Sequence, residues 1–468
     1  MTSNVYRSTD DAGVHSTTRS DVSQLLRRLH FYIGLFVGPF ILIAAVTGTL
    51  FVLTPQIESH LYAEQLFNTS AGRAHTLDEQ VAVAKHYIGT QARLFAVRPA
   101  KEPGWNSRIM FTQAGLGDSE SRAVFIDPVS LAVKGDLIVY GTSGTLPFRT
   151  TLDYLHRNLL LGDLGRNYSE LAASWLWIGS LSGLYLWWAA RRKARSPIRR
   201  PASARSIHSL LGLWIVIGLV FFSATGLTWS RWAGGNVDLL RARLGWVTPS
   251  ASMQLADRHP EASGGEHAHH HGGSGMKMAP MPSTPIEIDT AKFDLVQSIA
   301  RAGGIDAREL EIRPPRNQNQ AWMVREVDRS WPTQVDTVAI DADRKIITSR
   351  ADFASFPLIA KLIRWGVDAH MGILFGLANQ IAMALFGIAL TAMIILGYVM
   401  WWKRRPAISS SMRTLSAAFL EMPLPYRIPT VVLALLLGWG MPLMGLSLIV
   451  FLMIDILRFR LSRVQTTS

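Results

Sequence analysis

HFYIGLFVGPFILIAAVTG, residues 30–48, returns as HSLLGLWIVIGLVFFSATG at residues 208–226. At a gapless offset of 178, His30 matches His208, Gly34 matches Gly212, and Thr47-Gly48 matches Thr225-Gly226. Each copy is uncharged and, at about 1.5 Å per residue, nearly long enough to cross about 30 Å of hydrocarbon as a helix. Each also opens on a titratable ring, which is costly in lipid and usually functional there.

Further matches extend the repeat. His156 matches His370, Gly162 matches Gly376, Gly183 matches Gly397, and Trp187-Trp188 matches Trp401-Trp402, all at an offset of 214. FIDPVSLAVKGDL (125–137) resembles VAIDADRKIITSRADF (338–353), with Asp127 and Asp341 also 214 apart. The offset grows by 36 early in the second long loop, where ASGGEHAHHHGGSGMKMAPMP (262–282) sits. The chain reads as a tandem duplication, each half being helix, external domain, helix, with an insertion in the second half. An even number of spans per half gives both halves the same orientation, about an axis along the membrane normal.

Composition agrees with a polytopic membrane protein: of 468 residues, 49% are hydrophobic and only 17% charged. Uncharged runs cover Phe31–Leu53, Leu171–Ala190, Ile207–Ser230, Met371–Trp402 and Ile428–Ile454. The first is too long for a cleaved signal peptide and lacks a small-x-small cleavage site, so it is expected to stay. The net charge of +13 does not point to nucleic acid, because it is gathered beside the spans. RRKARSPIRRPASARS (191–206) holds seven basic residues and no acidic one, and Lys403, Arg404 and Arg405 follow the fourth run. Basic residues packed beside spans mark the cytoplasmic side, which puts both long loops outside. The absence of cysteine excludes disulfides, thiolate iron–sulfur sites and covalent c-type haem.

The expected order is a cytoplasmic tail (1–26), a first span (27–55), an external domain (56–155), and an outer helix running into a second span (156–190). A basic cytoplasmic loop (191–206), a third span (207–230) and a second external domain (231–369) follow. A fourth span (370–402), a cytoplasmic loop (403–427), a C-terminal span or re-entrant hairpin (428–457) and a tail (458–468) complete it. Gly438, Gly440, Pro442 and Gly445 leave open whether 428–457 is one kinked span or a hairpin.

Each external domain reads as a small α+β unit. TLDEQVAVAKHYIG (76–89) has helical spacing, and LFAVRPAK, SRIMFTQ and RAVFIDP alternate like strands. KFDLVQSIARAGG (292–304), followed by ELEIRPP, AWMVREV and DTVAIDA, repeats that order. With H-x-x-x-G helix openings, T-G near the helix ends, H-R-x-L-L-L-G at 156–162 and W-W exits, the sequence resembles the bacterial PepSY-associated transmembrane proteins, or iron-regulated membrane proteins. The resemblance covers about residues 25–405 and is to the group that includes ferric-siderophore reductases. It implies a PepSY domain in each loop, two b-type haems held by histidines, and electron delivery to an extracytoplasmic ferric complex at a bacterial inner membrane.

The residues support part of that implication. Without thiolates, histidine and methionine are the common iron ligands left. Gly34 and Gly212 stand one helical turn from His30 and His208 and would clear space for a flat macrocycle. Gly48 and Gly226, eighteen residues after His30 and His208, return to the same face about 27 Å along and could make room for a second macrocycle. The expected axial ligands are therefore His30 with His208 on the cytoplasmic side and His156 with His370 outside. The bland alternatives are interfacial anchoring for the histidines and close helix packing for the glycines. A straight helix from His156 to Trp187 would span about 46 Å and leave two haems far apart, so tilt, a bend around Gly162-Gly165, or Trp175 and Trp177 as intermediates would be needed, and the sequence does not choose among them. Asn379 and Gln380 could hydrogen-bond a propionate or another helix.

Within the insertion, His267, His269, His270 and His271 precede Met276, Met278 and Met281, a soft-donor mixture suited to copper, or else a flexible polar linker. No G-x-G-x-x-G follows a strand, so an electron donor must be a quinol or a separate redox protein. Two function classes compete. One is a di-haem oxidoreductase acting on a ferric siderophore or another periplasmic metal complex, Cu(II) included. The other is a non-catalytic PepSY module that binds or restrains a periplasmic partner.

Overall fold

A computed structural model describes residues 22–193, 203–255, 290–403 and 414–465. Helix α1 (Val22–Val52) leads into α2 (Thr54–Leu61) and α3 (Leu77–Ile88). Strands β1 (Arg93–Arg98), β2 (Ser107–Thr112), β3 (Glu120–Ile126) and β4 (Val133–Tyr140) follow, then α4 (Pro147–Asn158) and α5 (Gly162–Lys193). A like succession comes next, beginning with α6 (Ala204–Thr228), α7 (Trp232–Arg243) and α8 (Phe293–Ala302). It continues through β5 (Leu310–Arg313), β6 (Trp322–Glu326), β7 (Thr337–Asp341) and β8 (Ile346–Ala351) to α9 (Leu358–His370) and α10 (Gly376–Lys403). Helices α11 (Leu415–Leu420), α12 (Leu424–Gly440) and α13 (Pro442–Gln465) end the described chain. Two units divide it: 1–49, 155–239 and 385–468 form one, and 50–154 with 240–384 form the other.

The first unit is helical. Among the described residues, three helices are long and apolar enough to cross a membrane: α1, α6 and α10. Helix α5 has the length, at 32 residues, but its Trp and Ser content makes it less apolar. Trp214, Ile217 and Trp439 are 78%, 83% and 84% exposed, a cost in water that lipid tails remove. Inward, Ile33, Val37, Ile41, Trp175, Leu219 and Phe451 form one core. Trp175 packs 5.6 Å from Phe451 and donates to Ser447 Oγ at 2.8 Å, so it is a packing residue with its polar end satisfied. The C-terminal run is two helices that pack on one another, broken at Met441; a Cβ on Gly445 would lie 2.9 Å from Gly438 Cα. Two carboxylates among the apolar helices serve as helix caps. Glu170 accepts the N–H groups of Trp232 and Ala233 at 2.8 and 3.1 Å. Asp455 accepts those of Leu415 and Ser416, and the Tyr32 hydroxyl at 2.6 Å.

Among its described residues, the second unit carries eight strands in the order β4-β3-β2-β1-β5-β6-β7-β8, every pair antiparallel. The strands of the two stretches read as small α+β units thus join in one sheet. β1 and β5 would each be an open edge in a four-stranded sheet, and they pair with one another through Val97 and Ile312. Period-two alternation turns Val97, Ile109, Val124, Ile312, Val324 and Val338 to one face, under α3 and α8. The two helices cap each other: Asp294 accepts the N–H groups of Leu77 and Asp78 at 3.0 Å, and Asp78 accepts that of Phe293 at 2.8 Å. Asp127 and Asp341, matched in sequence, are turn residues. Asp127 accepts the N–H groups of Val129 and Ser130, and Asp341 those of Asp343 and Arg344.

Candidate functional site

His30 and His208 lie together in the helical unit, ring centroids 6.4 Å apart and planes at 87°. A π-helical turn, Ile33–Val37, begins three residues after His30 and contains Gly34. Such turns widen a helix locally and recur at functional sites. His30 Nδ1 sits 2.9 Å from the Gly179 carbonyl oxygen and 3.1 Å from Ser182 Oγ, while His208 Nδ1 sits 2.8 Å from the Met393 carbonyl oxygen. A carbonyl can only accept, so both Nδ1 atoms carry the proton and both Nε2 atoms keep a lone pair. That is the tautomer and the outer hydrogen bond that metal-binding imidazoles use.

The spacing can be tested against a metal. Two imidazoles on opposite sides of an ion, each nitrogen about 2.0–2.1 Å from it and each ring centre about 1.1 Å further back, have centroids about 6.3 Å apart. The observed 6.4 Å fits. Among the described residues no group of three or more His, Asp or Glu side chains could hold a bare ion. The pair by itself supplies two imidazoles, the number that a bis-histidine haem iron takes from its protein.

His156 ends up beside α1. Thr47 Oγ1 lies 2.7 Å from the Ile43 carbonyl and 3.0 Å from His156 Nδ1, so the threonine hydroxyl ties the ring to α1. The straight helix considered above is absent: α4 stops at Asn158, and Leu159, Leu160 and Gly162 take positive φ before α5 begins. Tyr168 holds the end of α4 through the Leu155 carbonyl at 3.1 Å and through that of His156. From His30 to Thr47 is about 25 Å of helix, the separation of the two histidine levels in this unit. His370, in the other unit, is the last residue of α9. Asn379 Nδ2 donates to the neighbouring Ala369 carbonyl at 3.0 Å, and its buried Oδ1 has no partner among the described residues. Gln380 accepts from Gln56 at 2.6 Å.

The glycines divide. A Cβ on Gly34 would meet nothing within 4 Å, and one on Gly48 would come within 3.3 Å of His156 Cε1. On Gly212 it would meet Met393 Sδ at 3.3 Å, and on Gly226 Ala173 Cβ at 3.3 Å, both helix contacts. The glycine that shapes the His30 site is Gly183, where a Cβ would fall 2.9 Å from His30 Cε1; its match Gly397 stands 3.7 Å from His208 Cε1. Both were visible as repeat-matched glycines, but nothing in sequence tells which helix faces which histidine. His267, His269, His270, His271, Met276, Met278 and Met281 lie outside the described residues.

No curated protein matches the chain. The family description of the PepSY-associated TM region matches residues 27–404, which includes all four repeat-matched histidines. That match takes in well over half of the sequence, and the chain belongs to the PepSY-associated transmembrane family.

Proposed function

We propose that this membrane protein is a di-haem oxidoreductase. It would pass electrons from the cytoplasmic side or the membrane pool to an extracytoplasmic ferric chelate of the siderophore type. The observation that carries the reading is the His30–His208 pair, 6.4 Å between centroids with both Nδ1 protons committed to carbonyls. A bound haem b supplies a one-electron Fe(III)/Fe(II) couple. The chain's own residues would favour the ligating tautomer and hold the rings perpendicular, half-buried among apolar helices. His156 and His370 are proposed as the second ligand pair on their sequence match, with the Thr47 contact tying the His156 ring to α1. A quinol or a separate redox protein is the proposed donor. The tandem duplication, a cytoplasmic N-terminus in a bacterial inner membrane and periplasmic loops belong to the same reading, supported by the repeat matches and the basic residues beside the spans.

Purified protein from haem-replete cells should show two low-spin b haems per chain, and His30→Ala and His208→Ala should each remove the same one. After anaerobic dithionite reduction, a ferric siderophore should reoxidise the haems one electron at a time while an Fe(II) trap develops colour. A colourless preparation would refute the reading and favour the non-catalytic module. Reoxidation by Cu(II) but not by ferric chelates would move the substrate to copper.

A further inference from the structure

Opposite α3 and α8, the sheet presents arginines. Alternation along β1, β2, β5 and β6 sends Arg98, Arg108, Arg313, Arg325 and Glu311 to that face. Glu311 is buried and accepts from Arg98 Nη2 at 2.6 Å, Arg313 Nε at 2.8 Å and Arg325 Nη2 at 2.6 Å. Against the cost of burial, those guanidiniums hold its carboxyl well below the usual carboxylate range. Asp368, also buried, is shared by Arg329 and Arg364, the latter at 3.1 Å. Two carboxylates thus serve five arginines.

The surplus charge is met by backbone. In the turn after β4, the Thr142 and Ser143 carbonyls accept from Arg98 at 2.5 and 2.8 Å. The Gly144 carbonyl accepts from Arg108 at 2.7 Å, and Ser143 Oγ from Arg329 at 3.0 Å. Arg149 has less still. Its buried Nε has no partner, and its guanidinium makes no hydrogen bond among the described residues. It lies 4.6 Å over the Phe51 ring, and the nearby Glu58 spends Oε1 on the Arg149 backbone N–H. Burial and neighbouring like charge push Arg108 and Arg364 down to about 10, and Arg149 down as well. Glu58 and Asp153 act on Arg149 through charge alone, so the buried cations of this face outnumber the carboxylates that grip them, and such a site is stabilised by an anion that enters it.

We infer that this arginine-lined face binds a multivalent carboxylate, free or wrapped round a ferric ion. Carboxylate is the chemistry its arginines already grip at Glu311 and Asp368, in the planar fork geometry that guanidinium favours. The metal-loaded form rests on the reductase reading above; binding of the free carboxylate does not.

The test uses full-length protein in detergent, titrated with citrate and with ferric citrate at constant ionic strength, by calorimetry and tryptophan fluorescence. Inorganic phosphate is the comparison. Wild type should bind citrate saturably, and Arg149→Gln should weaken it at least tenfold, with Arg149→Lys within about threefold of wild type. Arg122→Gln, on the helix-covered face, should leave it unchanged. Should Arg149→Gln fail to fold, Ser143→Glu places a carboxylate of the chain's own among Arg98 and Arg329 and should abolish citrate binding. No saturable citrate signal, phosphate binding as tightly as citrate, or Arg149→Gln matching wild type would each overturn the inference. So would haem loss in Arg149→Gln, which would assign the arginine to the cofactor. Free citrate binding without any redox response to ferric citrate would sustain the site and sink the reductase reading.

Discussion

Replacing Gly183 by alanine tests the His30 geometry at one methyl group. The new Cβ would stand 2.9 Å from His30 Cε1 and 3.5 Å from Nδ1. Carbon atoms in contact settle at about 3.5–4.0 Å, so the ring must retreat by roughly 0.7 Å. Metal–ligand distances are held to within about 0.2 Å, so the ring cannot retreat and still ligate unless the helices give way. The alternative is to break the 2.9 Å hydrogen bond to Gly179, which fixes the tautomer. Losing such an outer hydrogen bond typically costs about 10–100-fold in metal affinity. Alanine is the better helix former, so α5 itself is not weakened. Gly397→Ala is the internal control, since its Cβ would lie in ordinary contact, 3.7 Å from His208 Cε1. The assay is haem per chain, with the rate of haem loss to an apoprotein acceptor. Gly183→Ala should lose one haem at least tenfold faster, and Gly397→Ala should match wild type. Equal behaviour of the two variants would refute the argument.

The reciprocal caps make a pH prediction. Burial, then the charge of Asp294, raises Asp78 to about 6, so between about pH 4 and 6 the folded chain holds a proton that the unfolded chain releases. That contribution is complete below about pH 4 and lost as pH rises through 6. Asp78→Asn keeps the bond to Phe293 and should melt higher than wild type at pH 7.5, by about 1 kcal/mol after solvent screening, with no difference at pH 4. Glu311→Gln strips the charge from beneath three arginines and should destabilise the sheet by about 3–5 kcal/mol, read as earlier proteolysis in denaturant. Deleting 262–282 should leave haem content unchanged and weaken Cu(I) binding; unchanged Cu(I) affinity would make that segment a linker.

The apolar runs and the paired histidines were legible because lipid forces long uncharged stretches and because a repeat exposes matched residues. The strands were legible by alternation. Partner choice was not: nothing local says that Val97 will meet Ile312, across more than two hundred residues, to join both sets of strands. A bend near Gly162 was one of the readings the sequence left open, but its start at Leu159 was not legible, because leucines carry no turn signal. Thr47 was noted only as half of a repeated T-G, since a hydroxyl's partner depends on which helix folds back beside it. Gly183 was seen for its match and not for its neighbour.

The central β1–β5 pair also sets a schedule for synthesis. β1 ends at Arg98 and β5 begins at Leu310, so the ribosome must add about 200 residues after the first strand before its partner exists. At about 5–20 residues per second that is an interval of about 10–40 s. Throughout it, the nascent half-sheet shows an unpaired edge, and Arg98 waits without Glu311. Leu77 and Asp78 likewise lack the carboxylate that will cap them. A chaperone that shields strand edges would find its client in this window, and a stalled chain truncated before residue 310 is where aggregation should begin.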